Sequence, residues 1–267
     1  LELFARRIRS NSHNDAFNEL KIIVQHLIDR NYRNEIDSSQ SFNEQVIKLA
    51  YLYRERLILL VANWMRVGYC QGNFNSDNCA AGGFTLDYGP FGFCELFDPR
   101  FQPWTGGGEH FSFFNQPFAA EINFKMFCSS LLPLLLENKE DIEKLEKIKN
   151  DFSKLISKEM QLMWAKKLGL EKYDETLTNE LFNLMVNSNA DFSIFFRKLS
   201  HIPDNISYIK ESFYLPSTED LDKKWIIWLK KWQDCIKKEG NFEEISKSMK
   251  KVNPKFTWRE WMIVPAY

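Results

Sequence analysis

Asp77, Asn78 and Asp87 are the residues of this chain whose types and spacing best suit chemistry. They lie in one segment from Gly72 to Pro90. It begins with a polar, oxygen-rich loop, Asn73-Phe74-Asn75-Ser76-Asp77-Asn78, passes through a short apolar run, Phe84-Thr85-Leu86, and ends in the turn Asp87-Tyr88-Gly89-Pro90. Magnesium is a small, hard cation that takes oxygen ligands, commonly one or two carboxylates together with substrate phosphates and water. Asp87 offers a carboxylate and Asn78 an amide oxygen. Asp77, beside Asn78, is left free to accept a proton. The same residue types also make ordinary turns, because Asp, Asn and Gly bend or hydrogen-bond the backbone locally. The local pattern by itself leaves both a metal–nucleotide site and a plain pair of turns open.

The neighbouring elements must position these groups. Phe84-Thr85-Leu86 reads as a short buried strand delivering Asp87, with Gly82-Gly83 and Gly89-Pro90 as flanking turns. An Asp/Asn loop and an Asp-aromatic-Gly turn at the two ends of a short hairpin form the metal–nucleotide site of kinase-like folds. Before this segment, Asn14 or Asp15 caps a predicted helix to about Asn31. Ser41 and Glu44 form a capping-box pattern that opens a second helix to about Val67. Residues 68 to 115 hold most of the chain's 11 glycines and lose helical periodicity. Gln116-Pro117 starts a helix to about Glu137. Further helices are predicted over 141–168, 174–187, 191–199, 217–238, 241–250 and 258–262.

The 267 residues carry 35 basic and 36 acidic side chains, so no global positive field marks nucleic acid as a partner. No apolar run reaches the roughly 18–20 residues that a membrane span needs. Cys70, Cys79, Cys94, Cys128 and Cys235 are scattered without zinc spacing and read as free thiols. Gly106-Gly107-Gly108 is followed by Glu109-His110 rather than Lys-Ser or Lys-Thr. It reads as a connector, with His110 a candidate substrate-side contact. Trp225, Trp228 and Trp232 fall at helical spacing and read as core.

Several blocks together resemble the selenoprotein O (YdiU) family. They are Gly68-Tyr69-Cys70-Gln71-Gly72-Asn73-Phe74-Asn75-Ser76-Asp77-Asn78, then Leu86-Asp87-Tyr88-Gly89-Pro90-Phe91-Gly92-Phe93, Phe97-Asp98-Pro99-Arg100-Phe101 and Asn115-Gln116-Pro117. Asn189-Ala190-Asp191-Phe192 with Phe195-Phe196-Arg197, and Asn253-Pro254-Lys255-Phe256 with Arg259, complete the series in family order. The resemblance implies a mainly α protein, the C-lobe of an α+β protein-kinase-like fold. In it, a helical bundle carries the catalytic and metal loops on a small β-hairpin. It implies one domain over 1–267, with a family-specific helical extension from about 138, and a nucleotide-binding N-lobe expected before Leu1.

The resemblance also implies an activity: transfer of AMP from ATP to Ser, Thr or Tyr hydroxyls of proteins. Asp77 matches the base, Asn78 and Asp87 the ligands of Mg2+ or Mn2+, and Asp87 also the ATP site. A monomer is expected, without membrane or nucleic-acid partners, cytoplasmic in a bacterium or mitochondrial in a eukaryote. Kinases place a catalytic Asp five residues before the metal-binding Asn; here that position is Asn73, and Asp77 is the available substitute. Gln71 stands where the family commonly has His, and Asn73-Phe74 where it has a hydrophobic-Met pair. Gln102-Pro103-Trp104 follows the Asp-Pro-x-Phe block where many members have a cysteine, so redox control by that pairing is not expected. Two other readings remain: a truncated pseudokinase lobe that acts as a binding scaffold, and an atypical kinase moving the γ-phosphoryl group.

Overall fold

The capping box predicted at Ser41 forms as a reciprocal pair. The Ser41 N–H and hydroxyl both donate to the Glu44 carboxylate, at 2.9 and 2.7 Å, and the Glu44 N–H donates back to Ser41 Oγ at 3.3 Å. From it runs the longest helix, Phe42–Val67 (α3 in chain order). The computed structural model describes residues 1–10, 15–86, 89–104 and 107–266. Among them the protein is mainly helical, with one two-stranded antiparallel sheet.

The chain divides into two compact units. The first comprises Leu1–Val61, Phe74–Tyr88 and Pro117–Ser157. It holds α1 (Glu2–Arg9), α2 (Ala16–Asn31), most of α3 and of α4 (Gln116–Leu131), α5 (Lys139–Asn150) and the start of α6 (Phe152–Leu168). Its core is apolar and aromatic: Leu20, Val24, Leu49 and Leu57 are fully buried, and Phe124 stacks on Phe152 at 4.8 Å.

The second unit comprises Ala62–Asn73, Gly89–Gln116 and Lys158–Tyr267. It holds strands β1 (Tyr69–Cys70) and β2 (Gly92–Phe93), paired Tyr69 to Phe93 and Cys70 to Gly92. Helices α7 (Glu175–Asn187), α8 (Phe192–Leu199), α9 (Ile206–Lys210), α10 (Glu219–Glu239), α11 (Phe242–Val252) and α12 (Glu260–Ile263) follow. Trp225, Trp228 and Trp232 are core residues, as their spacing predicts. Each indole N–H finds an acceptor: Ser188 Oγ at 2.7 Å, Leu177 O at 2.9 Å and Leu168 O at 2.9 Å.

Three expectations need correction. The helix predicted over 141–168 is two helices. Asp151, at φ −72° and ψ −14°, makes the single tightened residue between them, and Phe152 enters the core directly after it. The helix predicted to Glu137 ends at Leu131, where Pro133 forces a 3-10 turn over Leu132–Leu134. Phe84-Thr85-Leu86 is an irregular, exposed stretch rather than a buried strand. Helices α1 and α9 were not anticipated. No described helix is long and apolar enough to cross a membrane.

One buried charge joins three helix ends of the second unit. Lys167 Nζ, on α6, donates to Arg66 O at 2.8 Å and Asn253 Oδ1 at 2.9 Å, and lies over the rings of Phe196 and Phe192 at 4.0 and 4.7 Å. The Asn253 amide donates in turn to Lys167 O and Ser200 Oγ. Hydrogen bonds to a charge contribute about 1.5–3 kcal/mol each, but stripping water from an ammonium costs several. Burial therefore holds the Lys167 ammonium well below the ordinary lysine range. The unfolded chain binds more protons than the folded one between that lowered value and about 10.4, so stability rises with pH across the window. Denaturant midpoints measured at increasing pH should climb for the wild type and stay flatter for Lys167→Met. Parallel curves would remove Lys167 as the cause.

Candidate active site

Asp77 and Asn78 lie on a single 3-10 turn, Ser76–Asn78, in the first unit. The turn closes through the Asn78 N–H on Asn75 O at 3.2 Å, and extended backbone leads in at Asn75 and out at Cys79. Asp77 is exposed and Asn78 half-buried. Asp87 and Tyr88 lie outside the described residues. The structure thus brings together two of the three expected site residues.

A loop without a sheet ladder must find other partners for its buried carbonyl groups. Here the partners come from three helices. Asn123 Nδ2 on α4 donates to Phe74 O at 2.9 Å, the Tyr32 hydroxyl at the end of α2 to Ala81 O at 2.6 Å, and Arg56 Nη1 on α3 to Gly82 O at 3.0 Å. The Tyr53 hydroxyl on α3 meets Cys79 Sγ at 3.1 Å. Phe74, almost wholly buried, anchors the incoming arm. Arg56 is itself fixed by the Asn31 carbonyl at 3.2 Å, by Glu35 and by the face of Tyr32 at 4.1 Å.

Electrostatically, the groups beneath the turn are neutral near pH 7. Burial pushes the Cys79 thiol up to about 11 and raises the Tyr53 phenol further from its ordinary value. Cys79 Sγ serves here as the hydrogen-bonding partner of the Tyr53 hydroxyl. A cavity of about 290 Å³ opens beside the turn, lined by Asp77, Cys79, Tyr53, Asn123, Met126 and Ser130 among others. The Asn75 Oδ1 atom is buried without a hydrogen-bond partner, an oxygen left over in the polar loop. Sequence reasoning missed Asn123, Tyr53, Tyr32 and Arg56, because each reads as an ordinary polar or aromatic helix residue.

In the second unit the two ends of the segment meet. Two residues past the β1–β2 pairing, Gly72 has a φ of +77° and approaches Pro90 O so closely that a Cβ would stand 2.1 Å away. Gln116, fully buried, accepts from the Gln71 N–H at 2.9 Å and donates to Tyr69 O at 2.9 Å and Phe113 O at 3.3 Å. His110 is exposed on the 3-10 turn Glu109–Phe111 and packs on the Phe111 ring. Gly106 lies outside the described residues. No group of three or more His, Cys, Asp or Glu poised for a metal exists among the described residues. Oxygen donors of the Asp and Asn kind fit a hard cation such as Mg2+.

The family model described as protein adenylyltransferase SelO matches residues 7–266. The chain belongs to the SelO family. Curated relatives called protein nucleotidyltransferase YdiU are similar along most of it. The one from Flavobacterium johnsoniae is 32% identical over 267 residues, 92% of this chain and 49% of the relative. Those from Albidiferax ferrireducens and Aromatoleum aromaticum are 30% and 31% identical, over 91% and 78% of this chain and 49% and 41% of their own lengths. The chain spans less than half the length of these relatives.

Three residues of other SelO blocks, Asp191, Gln116 and Asn253, make joints of the second unit. Asp191 caps α8 through the Ile194 N–H at 2.8 Å, accepts from the Tyr214 hydroxyl at 2.9 Å, and pairs with Arg259 at 2.5 and 3.2 Å. Gln116 and Asn253 carry the networks already described.

Gly83 shows how tightly the loop is seated. Its φ is +75°, and a Cβ would lie 2.4 Å from Arg56 Cβ. Gly83→Ala should lower unfolding free energy by about 1–3 kcal/mol, measured by urea titration. A neutral result would mean that the loop is not held against α3.

Proposed function

We propose that this chain carries the catalytic and metal residues of a protein adenylyltransferase, which moves AMP from ATP to Ser, Thr or Tyr hydroxyls of proteins. The observation that carries the reading is the Ser76–Asn78 turn. An exposed carboxylate, Asp77, adjoins the amide Asn78 on a turn seated on three helices. Membership of the SelO family and the nucleotidyltransferase names of the relatives support it. The helical units with a small hairpin are compatible with a kinase-like C-lobe, and we assign them to that class.

In this mechanism the acceptor hydroxyl oxygen attacks the α-phosphorus of ATP, and its proton passes to the Asp77 carboxylate. The bond between the α-phosphorus and the bridging oxygen breaks, and pyrophosphate leaves with the electron pair. A hydroxyl is a weak nucleophile near neutral pH, so a positioned base accelerates attack by about 10²–10⁴-fold. Asn78 and Asp87 would hold Mg2+, or Mn2+ in its place, with Asp87 also at the ATP site. The bound cation would offset negative charge on the phosphates. Asp77 is the residue of the turn able to take the proton. Asn73, at the kinase-base position, has an amide that cannot.

The test is incubation of the full-length protein and a protein acceptor with ATP labelled at the α- or γ-phosphate. Label should enter protein from the α-phosphate, disappear with EDTA, and fall at least about 100-fold in Asp77→Asn and in Asp87→Ala. Transfer from the γ-phosphate would establish the kinase reading instead. No transfer at all, with no ATP-dependent rise in melting temperature, would favour a binding scaffold.

A further inference from the structure

We propose that Asn123 is a positioning residue that sets the Asp77 carboxylate for proton transfer. The inference rests on the transfer reading above. Asn123 lies within α4, 6% exposed, next to the fully buried Phe124 and near Ala120 and Phe127. An amide in such surroundings costs about 1–3 kcal/mol unless its polar atoms are paired, and an apolar residue would fill the same space without that cost. Its amide is spent on the loop instead. Nδ2 donates to Phe74 O at 2.9 Å, and the side chain lines the cavity beside the turn together with Cys79.

This bond and the contact of the Tyr53 hydroxyl with Cys79 Sγ, from α3, bracket the turn, one on each side of Asp77. Asp77 itself makes no ion pair with any described residue, so its direction depends on the backbone that carries it. The cavity of about 290 Å³ leaves its carboxylate reachable on the side where Asn123 and Tyr53 form part of the wall. A misplacement of about 1 Å at a reacting group can cost on the order of 100-fold in rate. An amide that anchors the incoming flank of a base, opposite the hold of Tyr53 on the outgoing one, is therefore worth burying.

The test is a double-mutant cycle in the full-length protein, read as label transfer from α-labelled ATP. Asn123→Ala should lower kcat about 10- to 100-fold while leaving the KM for ATP within about threefold. In an Asp77→Asn background the same change should cost less than about threefold, because Asn123 acts through Asp77. Equal losses in both backgrounds, or a loss confined to KM, would overturn the proposal. Hydrogen exchange on the unliganded protein gives a readout independent of activity. In Asn123→Ala, the amides of 74–79 should exchange faster while those of α3 do not change. Unaltered exchange would overturn the clamp even if the wild type proved inactive. A wild type that transfers no label, with faster loop exchange in the variant, would refute the transfer reading and the catalytic role while leaving the clamp standing.

Discussion

The carbonyl groups of Phe74, Ala81 and Gly82, buried or half-buried, are the constraint on which the candidate site depends. Strands and helices satisfy their own backbone; this loop does neither between its extended arms. Each carbonyl deprived of water without a partner costs on the order of 1–3 kcal/mol. The loop can stay buried only because α2, α3 and α4 each present a donor of the right reach: a phenol, a guanidinium and an amide. Those three side chains fix the loop at both ends of the Ser76–Asn78 turn, so the turn inherits the rigidity of the helices.

The second unit uses the same device. Gln116 ties the β1 side of the hairpin to its own lead-in turn, by bonding the Gln71 N–H, Tyr69 O and Phe113 O. Asp191 gathers an N-cap, a phenol and a guanidinium that are remote from one another in sequence. Lys167 and Asn253 cross-link the ends of α3, α6 and α11 through backbone carbonyls. In each place an irregular or terminal backbone is completed by a polar side chain buried among aromatic rings. Aromatic packing supplies the drive to bury these regions, and the polar joints select the one arrangement that satisfies them.

How much of this was legible follows from the range of the interactions. Helix starts were readable because caps are local: Ser41 with Glu44, and Asp174, Asp191 and Asn241 with amides two or three residues on. The Asp77–Asn78 turn was readable for the same reason. The break at Asp151 was not, since no Gly or Pro marks it and both flanking helices keep good periodicity. Phe84-Thr85-Leu86 misled because three residues of strand-like type have no partner strand; the Phe84 ring folds back against Gly82 instead. The supports of the loop were invisible because their partners are remote. Tyr32 and Asn123 each bond a carbonyl 49 positions away, and nothing in a helical pattern distinguishes such an asparagine from a solvated one.

The neutrality of those supports has a consequence for the chemistry. A charged lysine or arginine under the turn would also have satisfied a carbonyl, but it would have formed an ion pair with Asp77 and turned the carboxylate inward. The groups that contact the turn from below are an amide, a phenol and a thiol whose ionisation burial suppresses. Arg56, a cation bonded to the loop, is occupied by Gly82 O, Asn31 O and Glu35, on the far side of Cys79 in the chain. Positive charge is thus kept off the underside of the turn, and the carboxylate of Asp77 remains exposed. A loop built to hold a base at a surface needs that combination of strong backbone anchoring and weak side-chain electrostatics.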